Sequence, residues 1–313
     1  MDPSHCLPGH ILKSIVVPAS VSRRRHPNDV GIRKKRSRGA DVVLAVRQCD
    51  FEALERLLRE EGADPDEGLG ATTPLAMALA LGAYPCVEAL LRLGADPRRR
   101  SVDAQGRIEP PLVAAVRLGC PPPLCRLLLD HGADPDARDF YGHSALWTAV
   151  YHKRAELMEL LLNRGAKVAE WSSAGERVPL PWNECPLYEA ARQGWRWCLP
   201  LVSCGAWGSG GLLEVVLERG DAGAAKGLVL AAGLRIPPGA DCLAAPAGGD
   251  PCALRQWLQH EMASPPPLAR LCRHGVRACL SRAARGRDLT PRAAMLPLPP
   301  HLLRYVLLDP LGP

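Results

Sequence analysis

The chain has 313 residues, of which 47% are apolar and 23% charged, a balance that excludes a disordered polymer or a fibre. Only 2 Phe and 5 Tyr stand beside 31 Pro and 29 Gly, which suits small stacked helices built on Leu and Ala better than a large sandwich core. The net charge of +6 divides into +7 over residues 1–40, −7 over 41–263 and +6 over 264–313, so no continuous basic face is offered to nucleic acid.

The first forty residues read as a basic flexible arm. Its apolar patch from Ile11 to Val17 is broken by Lys13 and makes a poor secretory signal. No apolar run approaches the ~18–20 residues that cross a bilayer, so no membrane association is expected. The 12 Cys contain no C-x-x-C pair and no zinc spacing, which predicts free thiols in a reducing compartment and no metal or cofactor. Arg23-Arg24-Arg25 and Arg33-Lys34-Lys35-Arg36 lie about ten residues apart, resembling a bipartite nuclear-import signal. A solvated tail is the plainer reading. The expected location is cytoplasmic, with nuclear entry through 23–38 as the sharper alternative.

From Asp41 a repeat begins. Gly62-Ala63-Asp64, Gly94-Ala95-Asp96 and Gly132-Ala133-Asp134 each close a leucine-rich stretch, and Gly165-Ala166 and Gly205-Ala206 continue the series. Pro74, Pro111 and Pro186 stand where a first helical turn needs no N–H. Ala78, Ala115, Ala149 and Ala190 let neighbouring helices approach, and the closing Gly supplies a left-handed residue. The pattern resembles the ankyrin repeat, although the consensus His is replaced by Ala76, Val113, Trp147 and Tyr188. Seven units are read between 41 and 263, the last two (211–235 and 241–260) degenerate. Such units carry no active site; the resemblance implies binding of another protein through the loops and inner helices.

The loop 169–184 is about twice the usual length, and Trp171, Trp182, Trp195, Trp197 and Trp207 cluster around it. Trp favours protein-interface hot spots, making Trp171, Trp182, Trp195 and Trp197 candidate partner-binding residues. The alternative is that such rings fill gaps between imperfect repeats.

After Pro265-Pro266-Pro267 the period stops. Leu268, Cys272 and Val276 recur at every fourth position, with Leu271 and Leu280 beside them and Arg270, Arg273 and Arg277 over the remainder of the helix. Leu296-Pro297-Leu298-Pro299 then forms a stiff segment leading into a short helix with Leu302 and Tyr305. These two blocks, 268–280 and 293–308, resemble the BC box and the Cullin-5 box of a SOCS box, so the chain is similar to the ankyrin-repeat and SOCS-box family. Ala293 stands where that pattern has a larger apolar residue.

The implied fold is all-α: a basic arm (1–40), an ankyrin-repeat solenoid (41–263) and a small three-helix SOCS box (264–313). The resemblance implies a substrate receptor of a Cullin-5 ubiquitin ligase. Leu268, Leu271, Cys272, Val276 and Leu280 would contact elongin C, with elongin B accompanying. Leu296, Pro297, Leu298, Pro299, Leu302 and Tyr305 would contact Cullin-5, whose RING subunit recruits the charged E2. The chain itself would be a non-catalytic adaptor; no P-loop, no G-x-S-x-G and no acid–base cluster is present. Its six Lys against 33 Arg suit a protein held near an E2, although GC-rich coding explains them more simply. The rival reading is a plain ankyrin scaffold or inhibitor whose last helices cap the stack. The two differ at Leu268, Cys272 and Leu298, exposed in a receptor and buried in a cap.

Overall fold

The structure is a computed structural model that describes residues 38–103, 105–171, 177–178, 184–206, 211–231, 236, 251–263 and 266–308. The basic clusters at 23–36, Trp182 and Trp207 lie outside them. Two compact units are formed, one ending at Glu109 and the other beginning at Pro110.

The first unit holds two helix pairs, α1 (Gly39–Arg47) with α2 (Phe51–Arg59) and α3 (Pro74–Leu81) with α4 (Tyr84–Arg92). Helix α1 thus starts two residues inside the stretch read as arm. Asp50 and Thr73 cap α2 and α3 by accepting from the N–H of Ala53 and Ala76, and Pro74 occupies the first turn. Strands β1 (Ser101–Val102) and β2 (Ile108–Glu109) form an antiparallel finger. Asp103 builds its turn, accepting from the N–H groups of Gln105 and Arg107.

The second unit holds four pairs. They are α5 (Pro111–Leu118) with α6 (Pro122–Asp130), α7 (Ala145–Tyr151) with α8 (Ala155–Asn163), α9 (Pro186–Gln193) with α10 (Trp195–Ser203), and α11 (Leu212–Glu218) with α12 (Ala222–Leu230). The inner helices α5, α7, α9 and α11 pack in succession, with α8, α10 and α12 outside. The unit read at 211–235 is therefore a helix pair like the others. Of the unit read at 241–260, the described part belongs to a single helix, α13 (Pro251–Ala263). Within the long loop, β3 (Glu170–Trp171) pairs with β4 (Arg177–Val178), a small departure from an all-α chain.

The repeat signature has a physical account at each position. The small residues Ala78, Ala115, Ala149 and Ala190 are fully buried, the contact points of adjacent inner helices. Gly94 (φ +97°) and Gly205 (φ +99°) turn the chain in the left-handed region after an outer helix. The Asp of each Gly-Ala-Asp accepts from the N–H two residues on, as Asp134 does from Asp136 at 2.9 Å. The next aspartate reaches the following unit: Asp66 accepts from the Asp96 N–H, and Asp136 from the Lys167 N–H at 2.8 Å.

Helices of seven to nine residues are too short to persist alone, so the alanine seam carries the stack. Ala149→Leu is expected to lower the urea midpoint, at a cost of about 1–3 kcal/mol from overpacking, as read by circular dichroism.

Candidate functional site

Two surfaces of the second unit carry chemistry beyond its core. One is the C-terminal assembly of α14 (Leu268–Ala284), α15 (Thr290–Ala293) and α16 (Pro300–Leu307). Leu280, Leu289, Ala293 and Val306 form its small buried core, with Val276, Leu296, Leu298 and Leu307 packed at the edges.

Helix α14 is two-faced in an unexpected sense. Its apolar stripe points outward: Leu268 is 75% exposed, Leu271 50%, and Cys272 and Cys279 are exposed as well. Its arginine face points inward. Arg273 and Arg277, read from the sequence only as covering the rest of the helix, are buried. Each donates to the carbonyl end of an outer helix. Arg273 bonds the Leu230 carbonyl at the end of α12, and Arg277 bonds the Val202 and Ser203 carbonyls at the end of α10. Arg277 also donates to the Val306 carbonyl of α16 at 2.8 Å. Beyond α14, Arg287 donates to the Gly165 carbonyl that follows α8 and to Asp136 at 3.2 Å. Three successive outer helices therefore each receive a guanidinium at the end where unpaired carbonyls and the helix dipole favour a cation. Burial, with Arg273 close by, pushes Arg277 down to about 10, so it stays charged at neutral pH.

Shape completes the attachment. Leu289 sits against Gly205, where a Cβ would lie 2.7 Å from its Cδ2, and the Gly286 carbonyl accepts from the Val168 N–H at 2.7 Å. The described residues from 266 to 308 are thus packed with the repeats of the second unit.

The residues assigned to partner contacts divide accordingly. Of those assigned to elongin C, Leu268, Leu271 and Cys272 are exposed, Val276 is half-buried, and Leu280 belongs to the internal core. Of those assigned to Cullin-5, Pro297, Pro299 and Leu302 are exposed, while Leu296 and Leu298 pack on that core, so Leu298 lacks the exposure expected of it in a receptor. Tyr305 is half-buried with its ring under the Arg273 guanidinium, 4.6 Å from centroid to carbon. Trp195 and Trp197 lie half-buried on α10, and the Trp195 ring covers Gly227 of α12 so closely that a Cβ there would be 2.4 Å away. Trp195 is a packing ring. Trp171 falls in β3.

The second surface escaped the sequence reading. Phe140 and Tyr141 at a finger tip, His143 at its base, and Trp147, Tyr151 and His152 along and after α7 form one continuous run of rings. Tyr141 stacks on His143 with centroids 5.9 Å apart, His143 on Trp147 at 3.7 Å and Trp147 on Tyr151 at 5.0 Å. Phe140 is 71% exposed, Tyr141 and Tyr151 51% each. The finger is fixed by Asp139, which accepts from the N–H groups of Tyr141 and His143 at 2.8 Å. The signal available beforehand was His143, Trp147 and Tyr151 at fourfold spacing, where Trp147 replaces the consensus His.

Among the described residues no cluster of His, Cys, Asp and Glu could hold a metal ion, and no described helix is long and apolar enough to cross a membrane. Burial pushes the thiols of Cys125, Cys198 and Cys204 up to about 12, keeping them protonated and unreactive at neutral pH.

Two outcomes are expected. Arg277→Met removes the side-chain donor to the Val306 and Ser203 carbonyls, at about 1–3 kcal/mol each, and raises amide exchange throughout α14 while leaving α7 protected. His274 contacts the Leu230 carbonyl at 3.2 Å. Burial and the neighbouring Arg273, Arg270 and Arg277 lower its pKa against the opposing pull of that carbonyl. The unfolded chain therefore takes up the proton first, and stability falls as pH drops through about 6.5, the ordinary histidine value. His274→Gln should flatten that part of the dependence of melting temperature on pH.

Residues 42–139 and 101–171 match the family model for ankyrin repeats in three copies. A 140-residue stretch is 36% identical to the E3 ubiquitin-protein ligase KEG of Arabidopsis thaliana, covering 44% of this chain but 8% of that protein. The ankyrin repeat domain of Bcl-3 aligns at 26% identity and a TM-score of 0.48, over 60% of this chain and 84% of that one. The helix pairs obey the same rules that the matched segment spells out in sequence: from 42 to 171 the chain is an array of ankyrin repeats, a framework for binding other proteins.

Proposed function

We propose that the chain is the substrate-recognition subunit of an elongin BC–Cullin-5–RING ubiquitin ligase, with the repeats holding the target and the C-terminal helices docking the ligase. The observation that supports this reading is the outward stripe of α14. A helix that merely capped the stack would turn Leu268 and Cys272 onto the repeats and its arginines to water. Here Arg273 and Arg277 meet the repeats, and Leu268 and Leu271 meet solvent. An exposed apolar strip on a helix whose other face is already anchored is the form taken by helix-in-groove recognition. The stripe matches, residue for residue at Leu268 and Cys272, the BC-box pattern that elongin C receives.

In this role Leu268 fills a pocket on elongin C and Cys272 packs as a small apolar side chain beside it. Pro297, Pro299 and Leu302 present the Cullin-5 surface, and Leu296 and Leu298 hold that segment to the core. The adaptor performs no bond chemistry; it raises the local concentration of target lysines at the E2 thioester.

The test is co-expression with elongins B and C. Wild type should purify as a stoichiometric complex on gel filtration. Leu268→Arg with Cys272→Phe, both changes at exposed positions, should abolish capture while leaving the circular dichroism spectrum intact. Wild type that purifies alone, without elongins, overturns the receptor reading in favour of the scaffold.

A further inference from the structure

The ring surface on α7 carries its own electrostatic signature. At its foot the chain leaves the helix through Tyr151 and His152 into Lys153, held in the left-handed region at φ +56°, and Arg154. The Arg154 guanidinium lies over Gly119, just beyond α5, where a Cβ would come within 2.5 Å of it. Lys153 is exposed, and the Arg154 Nε is buried without a hydrogen-bond partner. Arg117, in the last turn of α5, is close enough that it and Arg154 both disfavour the charged form of His152, after burial. Acidic groups near the upper rings are engaged: Asp139 closes the finger, and Glu184 pairs with Arg138 at 3.1 Å. On the neighbouring inner helix, Glu189 is buried and accepts from Gln193 at 2.9 Å, while Gln193 also donates to the Tyr151 carbonyl at 3.3 Å.

A ladder of exposed, mostly stacked rings thus leads down to Lys153 and Arg154. Ring edges carry the positive side of the aromatic quadrupole and accept apolar or carboxylate contacts, not cations. We infer that the Phe140–Tyr151 ladder with Lys153 and Arg154 is a docking surface for an extended acidic segment of a partner protein. An aromatic or aliphatic side chain of that segment anchors between Phe140, Tyr141 and Tyr151, and its Asp or Glu carboxylates lie against the two cations. The inference rests on the repeats being the target-binding half of the proposed receptor and names what they take. Basic segments are repelled at the foot of the ladder, and neutral ones lack the steering that complementary charge provides.

The full chain, immobilised, is panned with a phage library of short random linear peptides, and the enriched pool is sequenced. Enrichment of Asp and Glu on one side of an aromatic or aliphatic residue is expected. A synthetic peptide from that pool should bind at least about tenfold more weakly to Phe140→Ser/Tyr151→Ser, both exposed positions. It should also weaken on Lys153→Glu and in high salt. A basic or neutral pool, no enrichment, or undiminished binding to the double ring variant overturns the inference. Each variant is also tested for elongin B–C capture. Loss of capture by wild type refutes the ligase reading alone, whereas peptide failure with capture intact refutes the acidic docking surface alone.

Discussion

Everything in this molecule follows from helices too short to stand by themselves. A two-turn helix leaves as many backbone groups unpaired at its ends as it pairs within, so each must borrow stability from a neighbour. The repeats solve this laterally, through alanines with no exposed surface, and longitudinally, through aspartates that reach from one turn to the backbone of the next. The carbonyls at the ends of its outer helices, bonded in part by the turn that follows, still carry the negative end of the helix dipole and call for a cation. In the second unit that need is met from outside the repeats, by arginines of the C-terminal segment.

This arrangement explains why α14 is built as it is. Its length, 17 residues, is roughly twice that of any repeat helix, enough for Arg273 and Arg277, one turn apart, to address two adjacent outer helices. Arg287, past the helix end, addresses a third. Once these cations are committed to carbonyls, the first turns of the helix leave Leu268, Leu271 and Cys272 outside, while Leu280 and Ala284 further along are buried. The exposed stripe is thus a consequence of how the helix is anchored.

The repeat plan was legible because each of its marks does a local job: proline in a first turn, alanine at a seam, glycine in a left-handed turn. The outline of the C-terminal helices was legible for the same reason, from the spacing of Leu268 and Cys272 and the proline-stiffened entry to α16. The burial of Arg273 and Arg277 was not. Arginine on a helix is ordinarily solvated, and the carbonyls that bury these two lie 43 and 75 residues away in sequence. Val276, Leu280 and Tyr305 likewise share the apolar spacing of the exposed residues, and only the fold separates those that face inward. Attention to tryptophan density pointed toward 171–207, where Trp195 proved to fill the space over Gly227. The ring ladder was missed because its members are diverse, His, Trp and Tyr, and become one surface only when a finger and a helix meet.

The triple arginine attachment also fixes a bearing. Because the C-terminal helices are held by the outer helices of the unit that also contains α7, the outward stripe and the ring ladder belong to one compact unit. Two proteins seated on those surfaces would be held at one separation and one angle, with none of the slack that a flexible linker allows. Which lysines of a bound target come within range would then be a matter of surveying, set by where on the target the gripped segment lies.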